Sequence, residues 1–536
     1  MEIISSDNTH GYLSLVLHAH LPFIKNPEHE HYLEEAWLYE AITESYIPLL
    51  HTFEDLLNDG VDFRITISLS PTLIAMLNDS LLKKRYAFHL ERLIALSEEE
   101  VFRNRADINL GPLAKMYHKK FLEIRHLYTD TYRSNLVSAF RSLAESGNVE
   151  LISSSATHAY LPALISEPSS VKAQLFVGTD YFRKAFDIHT SGIWLPECGF
   201  SPEIDRHLRD ADIKFFFLES HGTLNCKPAV RHSIYSPVKT PAGTIAFPRD
   251  VDSSRQVWSS AGGYPGDPDY RDFYRDIGFD LEFDRLREYL PHGVRTFTGL
   301  KYYRVTGKTG SKQPYIFENA LKKAKIHAYD FLKKKKDQVT ALNYRLKINP
   351  LITAAYDAEL FGHWWFEGPQ WLRALLMQIS SGNDKVRLTT PSEYISIKPD
   401  IETAMPSMSS WGEKGYSSTW IDSKNDWIYR HVIRASRLMS VVASINLNAS
   451  GSLRRALNQA ARELLLAQSS DWAFMMNTGN ADEFARSKFT EHIENFFGLH
   501  EGISSGVINT TYLRRLENKD SIFPDIDFRI FSRQSE

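Results

Sequence analysis

The sequence predicts an α/β protein built as a βα barrel, and three observations carry that expectation. Short apolar, β-branched runs recur seven times before residue 360, each of strand length. Helical patterns separate most of them, and strands alternating with helices imply βα units around a parallel sheet. No G-x-G-x-x-G follows the first run, so a barrel with insertions suits the chain better than a doubly wound sheet.

In chain order the predicted strands are 12–17 (YLSLVL), 63–69 (FRITISL), 149–152, 192–195, 213–218 (IKFFFL), 244–247 and 351–356 (LITAAY). Residues 78–146 read almost wholly helical, too long for one crossover helix, and are expected to form an inserted helical subdomain. A second helical and loop insertion is expected at 268–345, where the lysine run 333–336 reads as a solvated helix end. Near residue 400 the composition turns rich in Pro, Ser, Met and Gly, and long helical patterns follow. The expected division is therefore a catalytic barrel over 1–400 and a C-terminal helical domain over 401–536.

Composition narrows the function. With 43% hydrophobic and 24% charged residues, the 536-residue chain can bury a large core. A net charge of −4 lacks the basic footprint that nucleic acid requires. The aromatic content, 12%, is high enough to supply stacking faces for sugar rings as well as core. Two cysteines, Cys198 and Cys226, cannot make a disulfide framework, which fits a reducing cytoplasm. The start, MEIISSDNTH, has no leader pattern, and no apolar run is long enough to span a bilayer.

Active sites of βα barrels lie at the carboxyl ends of the strands, so polar residues just after apolar runs are the candidates. His18 and His20 follow the first run on one strand face, where they can bind a metal or a sugar hydroxyl. His158 ends SSSATH, Glu197 follows Trp194-Leu195-Pro196, and Asp357 follows LITAAY, with His363 close behind. Two carboxylates at the ends of different strands, among Trp and His, suit glycosidic bond chemistry. The competing reading is a zinc site of His18, His20, His158 and Asp357, as in sugar deacetylases or metal-dependent mannosidases.

HAHLPF (18–23), SSATHAYLP (154–162), WLPECGF (194–200) and AYDAELFGHWWFEGP (355–369) resemble, in order, the signature regions of glycoside hydrolase family 57. FPRDVDSSRQVWSS (247–260), GGYPGD (262–267), SSWGEKGY (409–416) and LLLAQSSDWAF (464–474) look like those of the family's 1,4-α-glucan branching enzymes. The resemblance implies an incomplete (β/α)7 barrel with an inserted helical subdomain and a C-terminal α-helical domain that closes over the cleft. It implies a retaining mechanism without metal or cofactor, acting on amylose, amylopectin or glycogen. Carried over by motif, Glu197 is the nucleophile and Asp357 the acid/base. Glucan contacts are expected from Arg249, Trp258, Gly266, Trp411 and Asp471, with His18, His20, His158, Trp194 and His363 around the substrate.

One departure bears on the outcome. Many branching enzymes of the family carry a shielding tyrosine on a long loop after the nucleophile motif, whereas 220–234 is short here and has no tyrosine before Tyr235. A less covered intermediate partitions partly to water, so branching with side hydrolysis is expected, a hydrolytic α-amylase being the alternative. A glucan-binding protein that has lost the chemistry is a remote third reading, opposed by the presence of both carboxylates.

Overall fold

The computed structural model describes residues 9–259, 262–290, 293–307, 309–382 and 385–533; the first eight residues, on which the leader reading rests, lie outside them. Among the described residues nine strands make one sheet: β1 (Gly11–Ala19), β2 (Ile65–Leu69), β3 (Val149–Ser154), β4 (Gly192–Trp194), β5 (Phe215–Leu218), β6 (Val238–Lys239), β7 (Ile245–Pro248), β8 (Leu351–Asp357) and β9 (Val386–Leu388). Their order is β6-β7-β5-β4-β3-β2-β1-β8, with β9 paired to β1. All pairs are parallel except β6 with β7.

Each of the seven predicted runs coincides with a parallel strand. All are almost wholly buried, as parallel strands covered on both faces must be. β6 and β9 are two and three residues long, too short to leave a period in the sequence. The barrel is incomplete between β7 and β8, where among the described residues no ladder forms. The gap is bridged beyond β7 by Asp250 N–H donating to Thr353 O at 2.8 Å and the Arg249 guanidinium donating to Ala355 O at 3.1 Å.

Between β2 and β3 the chain runs through helices Pro71–Asn78, Ser80–Arg103, Leu110–His126 and Leu136–Glu145. Local chemistry starts three of them, since the side chains of Ser70, Asp79 and Asn135 accept hydrogen bonds from first-turn N–H groups. After residue 400 the chain forms helices Trp427–Ile445, Gly451–Ala467, Ser470–Thr478, Asp482–Ser505 and Thr510–Lys519.

The lysine run corrects an expectation. It lies inside the helix Phe317–Leu346 and does not end it. Lys335 is 1% exposed and pairs with Asp250 at 3.2 Å, because the helix turns that side onto the chain leaving β7. Both cysteines are free and buried. Among the described residues, no helix is long and apolar enough to cross a membrane.

Candidate active site

The carboxyl ends of the strands open into one cavity of about 830 Å³. Register brings the chemistry together there: His18 on β1 is level with Ser68 on β2 and Asp357 on β8. The cavity is lined by His18, His20, His158, Glu197, Arg249 and Asp357 from the barrel, and by Trp411, Trp420, Asp471 and Phe474 from the chain beyond 400.

Glu197 stands just after β4 in a left-handed backbone conformation, φ 64° and ψ 19°. For a residue with a side chain this costs about 1–2 kcal/mol, and such strain collects at functional sites. Cys198 and His158 share it, with φ of 48° and 55°. The turn aims the Glu197 carboxyl at two donors: Ser470 Oγ–H reaches Oε1 at 2.7 Å and Trp411 Nε1–H reaches Oε2 at 2.6 Å. Burial pushes the carboxyl up to about 7, while these two hydrogen bonds pull it down.

Asp357 has the opposite surroundings. Among the described residues no donor reaches its carboxyl, and burial, then the charges of Glu359 and Glu197, hold it well above the usual carboxylate range. Arg249 opposes them; it is itself fixed by Glu219 at 2.8 Å and by Ala355 O. Glu359 accepts from Tyr46 Oη–H at 2.5 Å and from His20 N–H at 3.1 Å, and burial raises it to about 6.

The histidines form a stack beside Glu197. The ring centroids of His20 and His158 are 3.7 Å apart, and His18 lies 4.6 Å from the buried Trp194. His18 Nδ1 meets Ser68 Oγ at 3.1 Å, its Nε2 meets His158 Nε2 at 3.0 Å, and His158 Nδ1 meets Ser470 Oγ at 2.9 Å. His20 bonds Ser70 Oγ at 2.8 Å and Asp471 at 3.0 Å. Every ring nitrogen of the three is thus engaged within the protein.

His20, His158 and Asp471 offer ligand atoms within 4.8 Å of one another, and Glu463, His492 and Asp520 form a second such group away from the cavity. The first group does not include Asp357, which the zinc reading required. Its nitrogens are already committed to hydrogen bonds, so a cation there would have to break them.

Of the other expected contacts, Trp258, Trp411, Arg249 and Asp471 line the cavity, whereas Trp194, Gly266 and His363 do not. Trp194 lies beneath it, fully buried between His18 and Trp411. Gly266 ends the turn Tyr264–Gly266, and His363 Nδ1 faces Glu44 at 3.5 Å. At the rim, Trp258, Trp364 and Phe474 are 42, 48 and 43% exposed, and one face of Trp364 is stacked on Phe273, ring centroids 4.1 Å apart. The segment 220–234 does not line the cavity; it packs on the chain at 402–416, with Lys227 paired to Met405 and His221 bonded to Gly415 O.

Residues 14–408 match glycosyl hydrolase family 57, and residues 431–531 match the C-terminal region of 1,4-alpha-glucan branching enzymes. The chain belongs to glycosyl hydrolase family 57. A 1,4-alpha-glucan branching enzyme of Thermococcus kodakarensis is 31% identical, covering 96% of this chain and 77% of that relative. The alpha-amylase AmyC from Thermotoga maritima superposes with a TM-score of 0.92 at 41% identity over 98% of this chain and all of the other. A GH57-type branching enzyme from Pyrococcus horikoshii gives 0.88 at 31%, over 98% of each chain.

In this family 57 chain, sequence reasoning passed over Ser470, Ser68, Ser70 and Tyr46, each of which holds a charged or ring group of the site. Only Ser470 carried a signal, since it adjoins Asp471 in SSDW. The others sit inside ordinary strand and helix patterns.

Proposed function

We propose that this enzyme is a retaining 1,4-α-glucan branching enzyme, with Glu197 as nucleophile and Asp357 as acid/base. One observation carries the assignment of roles: of the two motif carboxyls that face the cavity, Glu197 receives two donors and Asp357 receives none among the described residues. Donors favour the charged form, so at neutral pH the proton the pair retains belongs on Asp357. In the first half-reaction Glu197 attacks C1 of an α-1,4-linked glucosyl unit while Asp357 protonates the departing chain. In the second, Asp357 as carboxylate takes the proton of an acceptor 6-hydroxyl, whose oxygen displaces Glu197 with net retention and makes an α-1,6 branch. The glucan stacks on Trp258, Trp364 and Phe474 and reaches Arg249, Trp411 and Asp471, while His18, His20 and His158 serve as walls. The donor class is amylose, amylopectin or glycogen, and two buried free thiols favour the cytoplasm.

A second reading, hydrolysis, has a specific observation behind it. The segment 220–234, without a tyrosine of its own, packs on 402–416 and does not line the cavity, so it adds no cover over the intermediate against water. The likeness to AmyC points the same way. Amylose incubated with the enzyme separates the two if iodine staining, reducing ends and α-1,6 signals in proton NMR are followed together. Branching with side hydrolysis predicts falling stain, growing α-1,6 signal and a smaller rise in reducing ends. Reducing ends that match bonds broken, with no α-1,6 signal, overturn branching. Glu197→Gln is expected to abolish turnover at nearly constant volume.

A further inference from the structure

Ser470 Oγ carries one proton but has two partners, Glu197 Oε1 at 2.7 Å and His158 Nδ1 at 2.9 Å. The row continues from His158 Nε2 to His18 Nε2 at 3.0 Å, and from His18 Nδ1 to Ser68 Oγ at 3.1 Å. Ser470, His158, His18 and Ser68 are all 3% exposed or less. Burial and the neighbouring imidazoles keep both rings neutral, so each has one N–H and one bare nitrogen. In such a row each hydrogen bond dictates the next.

With Glu197 ionised, the Ser470 hydroxyl must donate to Oε1, and its oxygen can only accept from His158 Nδ1–H. His158 Nε2 is then bare and accepts from His18 Nε2–H. His18 Nδ1 is bare in turn and accepts the Ser68 hydroxyl proton. The opposite direction starts with Ser470 donating to His158 and deprives Oε1 of its donor. Ser68 would then turn its proton to Ser153 O, 3.4 Å away.

We propose that Ser470, His158, His18 and Ser68 are positioning residues for Glu197, a buried row of hydrogen bonds whose direction presents a hydroxyl proton to the nucleophile's carboxylate. The proposal rests on the reading of Glu197 as nucleophile. It fixes two ring tautomers, Nδ1–H on His158 and Nε2–H on His18. No proton leaves the row and no covalent bond changes in it.

Other groups also face Glu197, and a change in Ser470 leaves them in place. They are Asp357 at the end of β8, Asp471 on the helix Ser470–Thr478, His20 after β1 and Cys198 beside it. The phenols of Tyr160 and Tyr429 face it too, both held neutral by burial.

Two experiments test the row. In wild-type enzyme labelled with ¹⁵N-histidine, the two signals being assigned by conservative His variants, His158 is expected as the Nδ1–H tautomer and His18 as Nε2–H at pH 8. In Ser470→Ala the acid limb of kcat/KM against pH is expected to move up by about one unit or more, the effect of losing one hydrogen bond to a charged group. KM should stay within about twofold, since Ser470 does not line the cavity. Ser470→Thr, which keeps the hydroxyl, should restore the wild-type limb. An Nε2–H tautomer on His158, or an unmoved acid limb in folded Ser470→Ala, overturns the row. Turnover surviving in Glu197→Gln overturns the nucleophile reading instead, and the tautomers still report on the row in wild type even if Ser470→Ala does not fold.

Discussion

Trp411→Phe removes the second donor to the proposed nucleophile and trims one side chain of the cavity wall. The indole Nε1–H reaches Glu197 Oε2 at 2.6 Å, a charge-assisted hydrogen bond, while the backbone N–H of Trp411 holds Glu197 O at 2.9 Å and is untouched. A phenyl ring keeps much of the packing on Trp194, 5.3 Å away, and under Arg249, 5.0 Å away. A hydrogen bond to a charged group contributes about 1.5–3 kcal/mol, and one pH unit corresponds to about 1.4 kcal/mol, so the carboxyl should rise by about one to two units. The Glu197 carboxyl begins near 7, which places the acid limb of the variant between about 8 and 9. At pH 7 the ionised fraction, and with it kcat/KM, should fall roughly five- to fiftyfold. The assay is initial-rate cleavage of amylose across pH 5–10, with a melting curve at each pH. A folded Trp411→Phe enzyme whose acid limb coincides with that of wild type would refute the reasoning.

Glu359→Gln removes a negative charge beside Asp357 while its amide oxygen can still accept from Tyr46 and His20 N–H. Asp357 then gives up its proton more readily, so the alkaline limb should move to lower pH; a limb that stays or rises contradicts the account of Asp357. Stability should also depend on pH through the second buried cluster, where burial raises Glu463 to about 7 and Asp520 to about 8. The folded chain there holds protons that the unfolded chain has released, so each group lowers stability as pH rises, by at most about 1.4 kcal/mol per unit, until its folded value is passed. His492, held low by burial, acts in the opposite sense only below its ordinary value of 6.5, so the clean window is pH 7 to 8. Melting temperature should fall across that window and fall less in Asp520→Asn; a flat wild-type curve would count against it.

Most of what the sequence revealed concerns groups that local pattern must betray. A strand buried on both faces has to be apolar along its length, so all seven barrel strands could be read, and the barrel rule then pointed to His18, His158, Glu197 and Asp357 at their ends. Arg249, Trp258, Trp411 and Asp471 came from motif resemblance, and all four reach the cavity. What stayed hidden depends on contacts across long sequence separations. The role of Ser470 exists only because residue 470 folds back onto residue 197, and serines at 68 and 70 look like ordinary strand-end residues until His18 and His20 stand beside them. Trp194, expected around the substrate, is placed by the alternation of β4 inward, under the histidine stack.

The carboxylates and their donors come from different parts of the chain. Glu197 follows β4 and Asp357 ends β8, but Trp411, Ser470 and Asp471 all lie beyond residue 400. A chain cut at 400 would keep both reacting groups and lose both hydrogen bonds to Glu197, together with the carboxylate that holds His20. It would also lose Trp420 and Phe474 from the cavity wall, opening that side to water. Each loss acts in the same direction. Without its donors Glu197 is less readily ionised, and a wetter site strengthens water against an acceptor glucan for the same intermediate. If Glu197 and Asp357 have the proposed roles, the region beyond 400 serves the chemistry through these contacts as well as forming part of the cavity wall. If such a truncated chain folds, any residual turnover should be slower and shifted towards hydrolysis, whereas undiminished branching by it would show that the donors to Glu197 are dispensable.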